Sequence, residues 1–263
     1  MLNSKHKKKK ISIIIVNFRS DQYLQKCIAS LYIFEKKEEF EIIIVNNDAK
    51  ERLKKIKNSY PEIIVINNHR NKGFGQAINL GVKKAQGEIL LFLNPDTELV
   101  EDIFSKIENE FLIEKNVAVI SPRVVEKNGI KQEWLFGKKF NLWRLLINNL
   151  IGDSEKDTLQ KKEVDWVSGA SMFVRKKDFL AVDGFDETFF LYLEDMDLCL
   201  KLKKLNKKTI YLPEIKTKHF GGGSSIEEEE RKKHYYTSQD YYFKKHFGFF
   251  QASLVRLFRK ILK

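Results

Sequence analysis

Short runs of apolar, mostly β-branched residues alternate, along the first 120 positions, with segments whose apolar residues recur every three or four positions. The runs lie at 11–16, 41–45, 63–66, 89–93 and 117–120. Nearly continuous apolar runs of this length are typical of strands that are buried on both faces. The segments between them have the spacing of amphipathic helices, and the first covers residues 20–33. This alternation predicts βαβ units and an α/β fold with a largely parallel sheet.

The pattern changes beyond Ser121. Residues 122–162 place aromatic and aliphatic residues among lysines and asparagines without a consistent period, which predicts a mobile loop or an amphipathic surface helix. Further strands are predicted over 164–174 and 210–212, and further helices over 99–114, 227–246 and 249–262. The expected organisation is a disordered basic tail at 1–10, a main domain at 11–225 with a variable acceptor-side insertion at 122–162, and C-terminal helices at 226–263.

The positive charge of the chain lies at its two ends. The formal net charge is +12, and five lysines within 5–10 and four basic residues within 256–263 leave +3 for the part between them. A nucleic-acid-binding protein would usually carry its basic residues on the folded domain, so the charge distribution disfavours that class. Basic ends are typical of attraction to an anionic membrane surface, or of solvated tails.

The last predicted helix carries an apolar stripe. Its members are Phe250, Leu254, Leu257, Phe258 and Ile261. The basic residues of this helix lie largely off the stripe, and a basic amphipathic helix at a chain end indicates contact with a membrane interface. The alternative is that the stripe packs on the protein's own core or on a partner subunit, which leaves a homodimer open.

The two cysteines and the length of the apolar runs bear on location. Cys27 and Cys199 lie in helical patterns without CxxC spacing, so we expect no disulfide framework and a reducing compartment. No stretch approaches 18 consecutive apolar residues, so no transmembrane helix is expected. The expected location is the cytoplasm, peripheral at the inner face of the cytoplasmic membrane.

Two acidic sites are candidates for chemistry. Residues 184–199 set five carboxylates among aromatic and aliphatic residues, and burying such groups is costly unless they are paired or coordinated. The second site is Asn94-Pro95-Asp96, where proline ends the fourth strand and presents Asp96 beyond the sheet. A carboxylate there could hold Mg²⁺ or Mn²⁺ together with a ligand's phosphates, although this tripeptide is also ordinary turn chemistry. Together the two sites suggest a metal-assisted transferase with a separate carboxylate base.

A glycine-bearing turn lies between the third strand and its helix, at Asn71-Lys72-Gly73-Phe74-Gly75. Glycines there allow backbone N–H groups to approach a phosphate or a nucleotide. The turn does not match a dinucleotide fingerprint, because Ile78 stands where the third glycine should be and the turn after the first strand has no glycine. A dehydrogenase is therefore disfavoured.

Other residues have structural interpretations. The histidines at 6, 69, 234 and 246 have no partners at metal-ligand spacing, and we expect them at the surface or in loops. The aromatic residues Phe189, Phe190 and Tyr192 could shape a pocket for a sugar and its acceptor, or could pack beneath the following helix.

Seven motifs stand in an order that resembles one family. They are Ile15-Val16-Asn17-Phe18, Val45-Asn46-Asn47-Asp48, Asn71-x-Gly73-Phe74, Asn94-Pro95-Asp96, Ser168-Gly169-Ala170, the block 184–197, and His219 followed by Gly223 and Ser224. Over roughly residues 11–225, the chain resembles the inverting GT-A-fold glycosyltransferases of family 2, in their rhamnosyltransferase-like branch.

The resemblance implies a GT-A fold, a Rossmann-like and mostly parallel sheet flanked by helices, and roles for individual residues. Asp96 matches the second acidic position of a DxD-type metal motif, and His219 matches a late histidine that approaches the same Mg²⁺ or Mn²⁺ ion or the phosphates. Asp195 matches the catalytic base, with Glu194 as its support or as the base itself. The implied donor-binding residues are Asn17, Asn46, Asp48, Asn71, Gly73, Phe74, Asn94 and Gly169.

The DxD-type motif is degenerate, with Asn94 in place of its first Asp, and a second position also departs from the family pattern. Asn46 stands where the family has an aspartate that pairs with the imide N–H of the nucleobase. The oxygen of an asparagine amide can accept the same bond, so we expect nucleotide binding to survive with altered base selectivity.

The implied reaction moves a sugar, with rhamnose from dTDP-rhamnose as the leading candidate, to a hydroxyl of a growing, lipid-linked surface glycan such as O-antigen, capsule or cell-wall polysaccharide. A carboxylate within about 2.6–3.2 Å must take the proton of the acceptor hydroxyl during attack. A metal ion neutralises the charge on the departing diphosphate. One displacement inverts the anomeric carbon, so no covalent nucleophile is required.

Two other functions are alternatives to a glycosyltransferase. A sugar nucleotidyltransferase would carry a glycine-rich basic loop directly after the first strand, where Asn17-Phe18-Arg19-Ser20 stands instead. A non-catalytic nucleotide-sugar-binding scaffold predicts loss of Asp96 or Asp195, and both are present.

Overall fold

The apolar runs of the sequence form neighbouring strands in a computed structural model that describes residues 9–48, 50, 53–126, 135–145, 158–221 and 226–261. The strands are β1 (Ile11–Asn17), β2 (Phe40–Asn46), β3 (Ile64–Asn67), β4 (Ile89–Leu93), β5 (Thr97–Leu99), β6 (Val117–Val125), β7 (Phe136–Gly137), β8 (Lys162–Val164), β9 (Trp166–Val167), β10 (Ser171–Arg175) and β11 (Lys208–His219). The helices are α1 (Asp21–Phe34), α2 (Lys54–Ser59), α3 (Phe74–Val82), α4 (Phe104–Ile113), α5 (Lys176–Ala181), α6 (Glu194–Lys204) and α7 (Glu228–Ile261).

The main sheet has the strand order β3-β2-β1-β4-β10-β6-β11-β5, and β8 pairs with β11. The four strands from β3 to β4 are parallel, as the βαβ pattern predicted. Parallel register aligns Asn17 with Asn46, and Asn46 with Asn67, so the polar ends of three strands form one row. Strand β10 runs antiparallel between β4 and β6, which brings the segment before it to the same edge as the end of β4.

Apolar layers cover both faces of the sheet. Along β1, Ile11, Ile13 and Ile15 pack with α1 and α4 on one face, because successive side chains of a strand point to opposite sides. Ile14 and Val16 pack on the other face with α3 and α6. A third cluster joins α7 to the segments that precede α6.

Several predicted element boundaries change. The helix predicted from residue 99 begins at Phe104, because 97–99 pairs with β11 as strand β5. The strand predicted over 164–174 is divided among β8, β9 and β10, and the strand predicted at 210–212 extends to His219 as β11. Strand β6 continues to Val125, into the segment 122–162. Much of that segment, most of the N-terminal tail, and Gly223 and Ser224 lie outside the described residues.

The C-terminal helix folds back on itself. Gly248, with φ +85°, interrupts the helical geometry of α7. Arg256 Nε and Arg259 Nη2, which follow the glycine, contact the Asp240 carboxylate at 2.9 and 2.8 Å. Phe250 is 75% exposed and Leu257 52% exposed, so these two members of the predicted stripe do not pack on the protein's own core, and Ala252 and Val255 of the same segment make the buried contact. Within the described residues, we find no helix that combines the length and apolar composition needed to cross a membrane.

A buried carboxyl group joins α1 to α4. Glu35 Oε1 accepts hydrogen bonds from the backbone N–H groups of Ile103 at 2.8 Å and Phe104 at 3.1 Å, at the start of α4. Burial raises the pKa of Glu35 to about 8 against the opposing effect of these two bonds. The carboxyl group therefore holds a proton in the folded protein at pH values where an exposed glutamate has lost it.

Candidate active site

Two carboxylates begin helix α6. The residues just before them, Tyr192 and Leu193, have φ values of +71° and +67°. Left-handed backbone at a residue other than glycine costs roughly 1–3 kcal/mol and persists only where the surroundings impose it. This strained turn sets Glu194 and Asp195 in the first helical turn, where the helix dipole favours negative charge.

The two carboxylates lie in the wall of a cavity of about 460 Å³. Five residues predicted for the site line it, namely Phe74, Asn94, Gly169, Glu194 and Asp195. Most of the other lining side chains are apolar or aromatic, namely Leu135, Phe140, Trp166, Ala170, Leu191, Tyr192, Leu193, Met196 and Tyr235. A largely apolar cavity with a few convergent polar groups is the usual form of a small-molecule site.

The environments of the two carboxylates differ. Asp195 Oδ2 accepts the backbone N–H of Gly169 at 3.1 Å, and Oδ1 accepts that of Met196 at 2.8 Å. Among the described residues, no hydrogen-bond partner reaches Glu194 Oε2. Burial raises the pKa of Glu194 well above its usual range, and the carboxylate of Asp195 raises it further. Burial also raises the pKa of Asp195, against the lowering effect of its backbone bonds. The hydrogen bonds therefore favour the ionised form at Asp195, whereas burial and the neighbouring carboxylate favour the proton at Glu194.

A second polar cluster joins the end of β4 to the end of β11. The Nε2 atom of His219 lies 3.0 Å from Asp96 Oδ1 and 3.5 Å from Asn94 Nδ2. Asp96 and His219 are both buried, at 7% and 8% exposure. The backbone N–H of Asn94 binds the carbonyl of Ala170, which places this cluster beside the cavity wall.

Asp96 and His219 offer one carboxylate and one imidazole to a cation. Mg²⁺ is usually held by one or two carboxylates, with phosphates and water as its remaining ligands, and imidazole is a common ligand of transition metals such as Mn²⁺. The two side chains therefore fit a divalent ion that is shared with a diphosphate. Among the described residues, we find no group of three or more histidine, cysteine, aspartate and glutamate side chains that could hold a metal alone.

Amide side chains connect the ends of β1, β2 and β3. Asn17 Nδ2 donates to Asn46 Oδ1 at 3.3 Å, and both side chains are fully buried. Asn46 Nδ2 in turn donates to the Lys50 carbonyl at 3.0 Å and to Asn67 Oδ1 at 3.3 Å. An aspartate has no proton to donate to a carbonyl, so these bonds explain the amide at position 46. Asp48, 5% exposed, follows the row two residues after Asn46, whose Nδ2 atom donates to the Asp48 carbonyl at 3.5 Å.

The glycine-bearing turn approaches the segment that precedes the two carboxylates. Asn47 Nδ2 donates to Asn71 Oδ1 at 2.8 Å, and Asn71 Oδ1 accepts the N–H of Gly73 at 3.0 Å. Gly73, at φ +96°, lies so close to Phe190 that an added Cβ would be 2.4 Å from the Phe190 carbonyl oxygen. The same oxygen accepts the N–H of Phe74 at 2.9 Å. The turn therefore supports the backbone that leads to Asp195.

The predicted residues form two connected groups. Phe74, Asn94, Gly169, Glu194 and Asp195 meet at the cavity, and the pair of Asp96 and His219 adjoins it through Asn94. The row of Asn17, Asn46 and Asp48 lies apart from the described cavity wall and reaches it through Asn47 and the turn at 71–74.

Sequence reasoning missed a buried ion cluster behind the cavity. The expectation of a surface position for His246 was wrong: its Nε2 atom lies 2.7 Å from Asp197 Oδ1, and Asp197 is fully buried. Lys245 Nζ binds Asp197 and Asp186, each at 2.7 Å. The signal that could have found this cluster is the unassigned aspartate two positions after Asp195, which needs a cation if it is buried.

The family model of glycosyl transferase family 2 matches residues 12–180, more than half of the chain.

Curated relatives include transferases of surface glycans. The chain is 28% identical to rhamnosyltransferase WbbL of Escherichia coli over 80% of this chain and 83% of that protein. It is 25% identical to the low-salt glycan biosynthesis hexosyltransferase Agl10 of Haloferax volcanii, over 74% of this chain and 62% of that protein. A shorter match, 39% identical, joins 22% of the chain to 19% of the N-acetylglucosaminyl-diphospho-decaprenol L-rhamnosyltransferase of Mycobacterium tuberculosis.

Solved structures share the fold. GalNAc-T7 with UDP, GalNAc and Mn²⁺ superposes with a TM-score of 0.63 at 15% identity, over 81% of this chain and 44% of that one. TarS of S. aureus with UDP-GlcNAc gives 0.58 at 21% identity, over 83% of this chain and 61% of that one. These likenesses show the GT-A fold.

Proposed function

Because this chain belongs to glycosyl transferase family 2, we propose that it transfers a sugar from a nucleotide diphosphate donor to a hydroxyl group of a glycan, with inversion at the anomeric carbon. The observation that carries the proposal is the position of Asp195 in a cavity wall that also includes Asn94, two residues before Asp96. A single displacement needs a base beside the attacking hydroxyl and charge stabilisation beside the departing diphosphate.

Asp195 is the proposed general base. Its two backbone hydrogen bonds hold the carboxylate in one orientation, and burial raises its pKa toward the range where a base works best. The carboxylate takes the proton of the acceptor hydroxyl while the oxygen attacks the anomeric carbon. The nucleotide diphosphate leaves from the opposite face with the bonding electron pair.

Glu194 has a different proposed role. Its buried Oε2 atom has no described partner, and burial favours its protonated form. A protonated carboxyl group can donate to an oxygen of the acceptor sugar while it leaves Asp195 as the ionised member of the pair.

Asp96 and His219 are the proposed protein ligands of Mg²⁺ or Mn²⁺. When bound, the ion would neutralise the charge that develops on the departing diphosphate. The two side chains support each other at 3.0 Å, so loss of either one disturbs the orientation of the other.

The donor sugar is proposed to be rhamnose, carried by dTDP. Two of the relatives named above are rhamnosyltransferases, and one of them matches over most of both chains. The row of Asn17, Asn46 and Asp48 would lie toward the nucleoside, with the turn at 71–74 between it and the cavity.

The acceptor is proposed to be a growing lipid-linked glycan at the inner face of the cytoplasmic membrane. A relative in Mycobacterium tuberculosis is named for an acceptor that carries a decaprenol lipid. The apolar and aromatic lining of the cavity suits a sugar ring and the start of a hydrocarbon chain. Cys27 and Cys199 are buried free thiols, which is consistent with a reducing compartment.

The test begins with thermal unfolding in the presence of dTDP, UDP and GDP, with their sugars, and with or without Mn²⁺ or Mg²⁺. A ligand at about 100 times its dissociation constant adds about 2.7 kcal/mol to the free energy of unfolding. We expect metal-dependent stabilisation by dTDP-rhamnose that is lost in Asp96→Asn. The exposed Asp102→Asn is the matched control and should keep the stabilisation.

Product analysis completes the test. Asp195→Asn should bind the donor normally and lose about 10²–10⁴-fold in transfer rate. Stabilisation by no nucleotide at all, in a folded protein, would refute the proposal, and so would full transfer activity in Asp195→Asn.

A further inference from the structure

The second part of α7 has one packed face and one face in water. Ala252 and Val255 are buried, at 2% and 1% exposure. Phe249 and Phe250 are 70% and 75% exposed, and Leu257 is 52% exposed. At about 100° per residue, positions 250 and 257 fall on the side of the helix opposite to 252 and 255, and position 249 lies at the border of that side. Ser253 and Lys260 also turn outward, and Arg256 lies at the border next to Ala252 with a side chain that is 52% exposed. Together with Phe249, Phe250 and Leu257, these residues are called the outer face.

The outer face combines bulky apolar side chains with positive charge. Residues 249–261 contain no aspartate or glutamate, and their charged residues are Arg256, Arg259 and Lys260. Arg256 pairs with Asp240 yet keeps a side chain that is 52% exposed, and Lys260 is exposed. Adjacent aromatic residues at such exposure, flanked by basic residues, are typical of helices that lie in a membrane interface.

The outer face belongs to the same element as part of the active site. Tyr235, in the first part of α7, lines the cavity that contains Asp195. Lys245 and His246 bind Asp197 of α6, three residues or fewer before the interruption at Gly248. A surface that binds to the outer face is therefore held at a fixed position relative to Asp195.

We infer that the outer face of α7 docks on an anionic lipid bilayer. The inference rests on the proposed lipid-linked acceptor, since docking there brings the cavity to the lipid on which that acceptor is carried. The alternative occupant, a second copy of this chain, is disfavoured by charge. A twofold contact would set the same patch against itself, so that Arg256 and Lys260 would face the same cations of the partner.

Vesicle binding of the full chain tests the inference. Purified protein is floated with vesicles of phosphatidylcholine alone or of phosphatidylcholine and phosphatidylglycerol in equal parts. The double variant Phe249→Ser, Phe250→Ser should lower binding to the anionic vesicles by roughly tenfold or more, because it removes the two large apolar side chains that would be buried in the membrane interface. The matched control is Leu112→Ser, Ile113→Ser, which removes two apolar side chains that are 65% and 67% exposed on α4. This control should bind as the unaltered protein does.

A charge variant separates lipid charge from apolar burial. Lys260→Glu should weaken binding to the anionic vesicles roughly fivefold or more at low salt, because it replaces a cation that attracts the anionic headgroups by an anion that repels them. Lys83→Glu, at the exposed end of α3, is its control. Equal vesicle binding by the phenylalanine double variant and the unaltered chain would overturn the inference. So would a dimer that the double variant dissolves, since the face would then join two copies.

Activity assays distinguish this inference from the proposed function. With a water-soluble acceptor that carries a short alkyl chain, the phenylalanine double variant should transfer sugar at the normal rate. With a long-chain acceptor in vesicles, its rate should fall in step with its vesicle binding. Absence of transfer by the unaltered chain in both assays would count against the proposed reaction, while the flotation result alone decides the docking surface.

Discussion

Gly73→Ala is the substitution whose effect follows most directly from the structure. An added Cβ would lie 2.4 Å from the carbonyl oxygen of Phe190 and 2.9 Å from its Cα, and both atoms belong to the backbone. Gly73 also has φ +96°, a conformation that L side chains rarely adopt. The variant must therefore shift the backbone of residue 190 or change its own conformation.

Two costs add in this variant. The left-handed conformation costs an alanine roughly 1–3 kcal/mol. Displacement of the Phe190 carbonyl weakens its hydrogen bond from Phe74, now 2.9 Å long, at about 0.5–1.5 kcal/mol. The sum of about 2–4 kcal/mol corresponds to a melting temperature lowered by roughly 5–15 °C in a chain of this size. Because residue 190 leads into the turn before Asp195, a displacement approaching 1 Å should also lower turnover by up to about 10²-fold.

Gly248→Ala is the matched control. Gly248 has a similar φ of +85°, and an added Cβ there would meet nothing within 4 Å. It should carry the conformational cost alone, with a smaller loss of melting temperature and normal turnover of a water-soluble acceptor. Thermal unfolding and steady-state kinetics on both variants make the comparison. Equal melting temperatures in the two variants, or full turnover in Gly73→Ala, would show that the close approach to Phe190 has no energetic role.

Three further predictions concern charged groups. Because the Glu35 pKa is raised to about 8 in the folded state, the free energy of unfolding should fall as pH rises from about 4.5 to 8, where only the unfolded chain has lost the proton. Glu35→Gln should flatten that fall in urea unfolding, and an unchanged slope would contradict the assignment. Lys245→Met leaves buried Asp197 with one cation fewer and should lower the free energy of unfolding by about 1–3 kcal/mol. The control is Lys244→Met, at an exposed neighbouring position, and equal free energies of unfolding in the two variants would refute the prediction. Transfer measured against pH should lose activity, on the acid side, above the ordinary aspartate pKa of about 3.9, because burial raises the pKa of Asp195. An acid limb at the ordinary value would exclude Asp195 as the base.

The parallel half of the sheet could be predicted because its strands have a distinctive sequence pattern. β1, β2 and β4 are buried on both faces, so their sequences are nearly continuous apolar runs. The insertion of β10 between β4 and β6 could not be predicted in this way. Four of its five residues are buried, as in a parallel strand, and only the chain's route to it fixes its direction. Strand β5 has three residues, too few for a period to be visible.

The candidate site was predictable where a residue's place in an element decides its position. Asp96 follows a buried strand, so the sequence placed it at the carboxyl edge of the sheet, whereas Asp195 was singled out by the family resemblance of the acidic block before a helical pattern. Tyr192 was a predicted candidate for the aromatic lining, but Trp166 and Tyr235 were not predictable, because they reach the cavity from segments 69 residues apart that share no motif. Asn47 was not among the predicted site residues, although it connects the end of β2 to the turn at Gly73.

The acidic block that sequence presents as one site serves two separate purposes. Asp195 and Asp197 are two positions apart on α6, about 200° around the helix, so their side chains point in nearly opposite directions. Asp195 points to the cavity, whereas Asp197 is fully buried against Lys245 and His246 of α7. Asp186 binds the same lysine from the preceding loop. The proposed base is therefore positioned by a helix whose other side is fixed by ion pairs to the C-terminal element, so that this element contributes to the position of Asp195.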